Sequence, residues 1–163
     1  MSGLRKNKGF SLIEIVVVIS IIGVLLMMGS SLSSSWVSSS HVGTASAAFK
    51  GAVSVARSAG LRNSNNKLTG EAAAGVCVTT TAINVVSFSS SAVPVCAAGN
   101  TTLIKAIAIP SGVTIKEKAL NTSVSCLVFD STGLLLPASG CLSALNKDLV
   151  VEKNNENIEF KLI

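Results

Sequence analysis

Hydrophobic positions are spread unevenly along the chain, and the spacing changes from one segment to the next. From Phe10 to Met28 the sequence reads FSLIEIVVVISIIGVLLMM, where 15 of 19 residues are aliphatic, aromatic or Met and no polar face interrupts them. A helix of that length is about 28 Å long, close to the hydrocarbon thickness of a bilayer. Gly29 to Ser40 follows as GSSLSSSWVSSS, in which eight of the eleven residues from Ser30 on are Ser. Serine competes for backbone hydrogen bonds and is a middling helix former, so we expect helix that can loosen, with a flexible linker as the alternative. From about Val42 to Leu61, Ala45, Ala48, Phe49, Ala52, Val53, Ala56 and Ala59 recur three and four residues apart, while Lys50, Arg57 and Arg62 lie opposite. That is an amphipathic helix, ended by the turn-forming RNSNNKLTG of Arg62 to Gly70.

Beyond Gly70 the period shortens to that of strands. The pattern predicts strands at Val76–Thr81, Ile83–Phe88, Thr102–Ile109, Val113–Lys116, Val124–Phe129, Leu134–Leu136, Leu149–Glu152 and Ile158–Leu162, with a further short run at Val93–Ala97. Asp130-Ser131-Thr132-Gly133 and Asn154-Asn155-Glu156-Asn157 sit between apolar runs as hairpin connections. Seven or eight short antiparallel strands in one or two sheets behind a long helix make an α+β chain.

Charge narrows the reading of the N-terminus. The 163 residues carry 13 Lys and Arg against 8 Asp and Glu, a net charge of +5, with no Tyr and few aromatics. A surface built to stack nucleic-acid bases is therefore poorly supplied. Arg5, Lys6 and Lys8 form a basic cluster ahead of the apolar run, which the positive-inside rule keeps in the cytoplasm. A secretory signal peptide and a plain uncleaved anchor share this outline. The run is nevertheless longer than an ordinary signal core and holds Glu14 near its start. A carboxylate there is costly and calls for a positive neighbour.

Lys8-Gly9-Phe10-Ser11-Leu12-Ile13-Glu14 resembles the prepilin processing site of the type IV pilins and of the pseudopilins of type II secretion. The resemblance implies a prepilin peptidase that cuts after Gly9 and methylates the new amino terminus of Phe10. It implies the type IV pilin fold, a long N-terminal helix with a transmembrane first half and an antiparallel β head. It also implies that Glu14 pairs with the Phe10 amine of an adjacent subunit and sets filament register, against the plainer readings of a pair within one chain or a protonated Glu14. The segments are then a leader at 1–9, a transmembrane and assembly helix at 10–28, its Ser-rich continuation at 29–62 and a periplasmic head at 70–163. Ser31 stands where many pilins carry Pro. Trp36 reads as an outer-leaflet anchor and His41 as a surface residue. VARSAGLRN at Val55–Asn63, VCVTT, FDSTG at Phe129–Gly133 and the closing hairpin resemble the H-type pseudopilins and FimT-type minor pilins.

A periplasmic head gives the four cysteines an oxidising compartment. Pairing by proximity joins Cys77 with Cys96 and Cys126 with Cys141, while a crossed pairing between sheets stays open. No C-x-x-C occurs, so a zinc site is poorly supported. The single His41, the scattered acids and the absence of a phosphate loop leave no catalytic constellation and no cofactor. Function then rests on assembly. The expected partners are the peptidase, other pilins or pseudopilins along the helix, and the inner membrane before assembly. A minor pilin near a pilus tip is the leading reading and an H-type pseudopilin the alternative. DNA binding is a third reading, through Lys147, Lys153 and Lys161. It is disfavoured because no Arg follows Arg62 and Asp148, Glu152, Glu156 and Glu159 are interspersed.

Overall fold

The computed structural model describes residues 10–89, 96, 101–138, 141–142 and 148–162, with residues 28–33 as backbone only. The leader at 1–9, the Val93–Ala97 run apart from Cys96, and Lys147 lie outside them. Two compact units divide the chain at Val37 and Ser38. One helix, α1 (Leu12–Arg62), contributes to both. The backbone stays helical through the Ser-rich stretch, so the linker alternative is not the conformation found.

In the first unit no described side chain of α1 is buried, and the large apolar side chains from Phe10 to Leu26 are about half exposed or more. In the second unit the three-and-four spacing acts as expected: Val42, Ala45, Phe49, Ala52 and Ala56 are completely buried along one stripe. The helix stops at Asn63, whose left-handed backbone (φ 45°) and N–H donation to the carbonyls of Ala59 and Gly60 close its last turn. The Asn63 side chain then clasps Lys67, accepting from its N–H at 2.6 Å and donating to its carbonyl at 2.8 Å.

Among the described residues nine strands follow: β1 (Ala72–Val78), β2 (Ala82–Phe88), β3 (Thr101–Ala108), β4 (Thr114–Glu117), β5 (Thr122–Ser123), β6 (Cys126–Asp130), β7 (Leu135–Leu136), β8 (Asp148–Lys153) and β9 (Glu156–Lys161). They form two antiparallel sheets, ordered β3-β2-β1-β6-β7 and β5-β4-β8-β9. The fold is thus α+β, an N-terminal helix with antiparallel sheets. Inward-facing Val76, Ile83, Val85, Leu127 and Phe129 of the first sheet share one core with Ile115, Leu149 and Val151 of the second and with the α1 stripe. The first sheet is apolar on its other face as well, where Cys77, Val86, Phe88 and Val128 cluster against Leu136, Ala138 and Cys141.

Two expectations need correction. The first strand begins at Ala72 and ends at Val78, not Val76 to Thr81, because small residues are needed where it enters the sheet. At Gly75 a Cβ would lie 2.6 Å from the Leu127 carbonyl oxygen and 2.9 Å from the Phe88 ring. The two-residue β5 was also not expected, being too short to show alternation.

Asp130 ties the helix end to the sheet. It is 2% exposed, and Gly60 of α1 packs so closely on it that a Cβ there would sit 2.7 Å from its carbonyl oxygen. Its Oδ1 accepts from Thr132 Oγ1 at 2.7 Å and from the N–H groups of Thr132 and Leu134 at 2.9 Å, and Oδ2 accepts from Gly70 N–H at 3.4 Å. Burial pushes this carboxyl up, but the four donated hydrogen bonds outweigh it and hold the group below its ordinary 3.8.

Gly75→Ala is expected to cost about 2–3 kcal/mol, read from urea unfolding of the detergent-solubilised chain by circular dichroism; an unchanged midpoint would show that the strand can move aside. A depressed carboxylate adds stability above its unfolded pKa that is lost as pH falls through the folded value. Asp130 should therefore contribute fully at neutral pH and lose its contribution below pH 3.8. In Asp130→Asn that part of the acid sensitivity should disappear while neutral-pH stability drops by about 1–3 kcal/mol.

Candidate functional site

The N-terminal end of the first unit is built by the start of α1. The Ser11 carbonyl accepts from the N–H groups of Glu14 at 3.0 Å and Ile15 at 3.3 Å, making Ser11 the residue that opens the helix. Glu14 is the acid of the first turn, where the unsatisfied N–H groups make a carboxylate favourable. Ser11-Leu12-Ile13-Glu14 also has capping-box spacing. Phe10, 81% exposed, lines a shallow groove of about 300 Å³ with Glu14, Ile15, Val18 and Ile19 on successive turns.

Among the described residues no helix is long and apolar enough to cross a membrane. The described side chains of the apolar run stop at Met27, while the run in the sequence extends to Met28. Trp36, in the same unit, is 76% exposed.

In the second unit both cysteine pairs are bonded, Cys77 to Cys96 with a Cα–Cα distance of 5.8 Å and Cys126 to Cys141 with 4.6 Å. The crossed and zinc alternatives are therefore not adopted. The β8–β9 hairpin separates the lysines singled out for phosphate contact. Lys153, beside the turn, approaches His41 Nδ1 at 2.7 Å and donates to the Ser111 carbonyl at 2.7 Å. Lys161 stands opposite Asp148 in the strand register at the far end, about 16 Å away along the strand. His41 is half-buried rather than a plain surface residue.

Lys161 instead shares a groove of about 530 Å³ with Lys50, Val53, Ser54, Arg57, Phe160 and Leu162. The Lys50 ammonium lies 4.8 Å from the centre of the Phe160 ring, a cation–π contact. Lys50 and Arg57 stand seven residues apart on α1, so their common face was visible in the sequence; their proximity to Lys161 was not. Two acids of the β8–β9 hairpin are neutralised by neighbours. Lys116 pairs with Glu152, whose carboxyl is held down chiefly by that hydrogen bond, and Lys118 pairs with Glu159.

Residues 4–30 match the family model described as the prokaryotic N-terminal methylation motif. That match spans the basic cluster, Gly9, Phe10, Glu14 and the apolar run, and it marks a type IV prepilin-like structural subunit rather than an enzyme. Neither a curated protein nor a solved structure matches the chain.

Lys153→Ala should lower the stability of the second unit by about 1 kcal/mol through its lost hydrogen bonds. Lys161→Ala should stay within about 0.5 kcal/mol. Equal melting temperatures for the two variants would show that the Lys153 contacts contribute nothing.

Proposed function

We propose that this chain is a minor pilin of a type IV pilus. A prepilin peptidase removes residues 1–9 by cutting after Gly9 and methylates Phe10. The 10–28 helix holds the protein in the inner membrane with its head in the periplasm until it joins the filament near the tip. The carrying observation is the combination at the N-terminus: the methylation-motif match at residues 4–30 lies on a helix that is apolar all round, uncovered, and bears Glu14 in its first turn. A helix hydrophobic on every side must be covered by lipid or by other helices. Here one helix can use both in turn, lipid before assembly and neighbouring helices afterwards.

Glu14 supports the assembly step. Cleavage would create an α-amine on Phe10, cationic near neutral pH with an ordinary pKa of about 7.7–8. In a bundle of such helices that amine is the positive group an intramembrane carboxylate requires. The two disulfides fit a head that works in an oxidising compartment. The mixed-charge β8–β9 hairpin gives a DNA-binding role no comparable support.

Mass spectrometry of the mature protein should find a methylated Phe10 at its N-terminus; a mature chain starting beyond Met28 would identify a cleaved signal peptide and overturn the reading. Glu14→Ala should still insert and be cleaved but fall to background in sheared filaments, and normal incorporation would remove Glu14 from assembly. Deleting the gene should abolish or sharply reduce piliation while protein secretion stays intact. The reverse result would assign the chain to the type II secretion pseudopilus.

A further inference from the structure

Cys77 and Cys126 face one another across the β1–β6 ladder. Val78 N–H donates to the Ser125 carbonyl at 2.8 Å, whereas the Cys126 carbonyl turns away to accept from Leu142 N–H at 2.8 Å. Cys77 and Cys126 therefore form a non-hydrogen-bonded pair of the antiparallel ladder. In such a pair the Cα atoms lie about 4.5 Å apart and both side chains leave the same face. That separation is within the range a disulfide spans. The two observed disulfides thus start from one place on the sheet. Their ends differ in access: Cys77 and Cys126 are buried, Cys141 is half-buried and Cys96 is exposed.

We propose that the four cysteines act as a single thiol–disulfide exchange site whose co-substrate is a dithiol reductant. One thiolate of the dithiol attacks Cys96 Sγ, the accessible sulfur; a mixed disulfide forms, the Cys77–Cys96 bond breaks and the electron pair stays on Cys77 as a thiolate. Cys77 then attacks the adjacent Cys126 Sγ. The Cys77–Cys126 bond forms, the Cys126–Cys141 bond breaks, and Cys141 leaves as a thiolate that takes up a proton. The second thiol of the dithiol loses its proton and closes on the mixed disulfide, releasing Cys96, which is protonated in turn. Two electrons and two protons pass from the dithiol to the protein, which loses one disulfide in total.

Because the second step is intramolecular, one reduction releases the chain at both Cys96 and Cys141. The seam between β1 and β6 stays covalently closed. An independent reduction of either bond would release one attachment and leave the other in place. The exchange site converts a partial reductive signal into loss of both attachments without opening the sheet.

The test treats the full-length oxidised chain in detergent with equimolar dithiothreitol, quenches with iodoacetamide, and maps labels and linked peptides by mass spectrometry. The expected result is equal labelling of Cys96 and Cys141 together with a Cys77–Cys126 linked peptide. Labels on Cys77 and Cys96 with Cys126–Cys141 intact, labels on Cys126 and Cys141 with Cys77–Cys96 intact, or no labelling even with excess dithiol would each overturn the proposal. A second arm uses the double variant Cys96→Ser with Cys141→Ser. After oxidation its remaining cysteines should be linked to each other, with loss of all titratable thiol. Two free thiols in a variant that keeps the wild-type circular dichroism would overturn the proposal; if that variant does not fold, the labelling map of the unmodified chain decides alone.

Discussion

Burial of a single helical stripe organises the second unit. Val42, Ala45, Phe49, Ala52 and Ala56 are fully enclosed, and they contact inward-facing residues from both sheets in one continuous core. Among the described residues neither sheet has another element to cover that face. Phe49 supplies the bulk, burying a side chain worth about 2–3 kcal/mol and tilting against the Phe160 ring at 6.0 Å. The alanines serve a different purpose, since small side chains let two sheets approach one helix closely. Gly60 takes this to its limit against the Asp130 carbonyl. The hydrogen-bonded turn around Asp130 then fixes where β6 ends relative to the helix terminus, so the stripe and this turn together locate the first sheet.

The same helix solves a different problem in the first unit. There the run from Phe10 to Leu26 is apolar around the helix, and its large side chains are about half exposed or more. A side chain left in water forfeits the stabilisation that burial brings, so such a segment is stable only with an apolar partner around it. The head can bury its own stripe. The N-terminal part of the helix has no such stripe and carries one carboxylate, Glu14, in its first turn.

Much of this was legible because hydrophobic spacing reports directly on what each segment must cover. The α1 stripe follows the three-and-four pattern to its stop at the Asn-rich turn, and among the described residues seven of the nine strands overlap apolar runs bounded by turn residues. The start of β1 was hidden because Ala72, Ala73, Ala74 and Gly75 are chosen for closeness, not for strand preference. Glu117 was hidden for the opposite reason: a carboxylate at a strand end reads as solvent-facing, yet it is 4% exposed and its Oε1 has no hydrogen-bond partner among the described residues. At the candidate site, the processing motif was readable because it is contiguous. The groove of Lys50, Arg57 and Lys161 and the bond from Lys153 to Ser111 join residues far apart in sequence, and only strand register brings them together or separates them.

The disulfides answer a constraint created by the stripe. With α1 committed to one face of the first sheet, the opposite face still carries Val86, Phe88 and Val128, and among the described residues no second helix covers it. Cys77 and Cys126 lie on that face and tie Cys96 and Cys141 to it. Loops of 19 and 15 residues closed this way restrict the unfolded chain by about 3 kcal/mol each in the entropic account. That is comparable to burying one large side chain, and a small head has few of those to spare. Covalent attachment thus takes the place of packing on the outer face, whereas packing alone suffices on the inner one. The outer attachment therefore depends on the redox state of its surroundings, while the core around Phe49 does not.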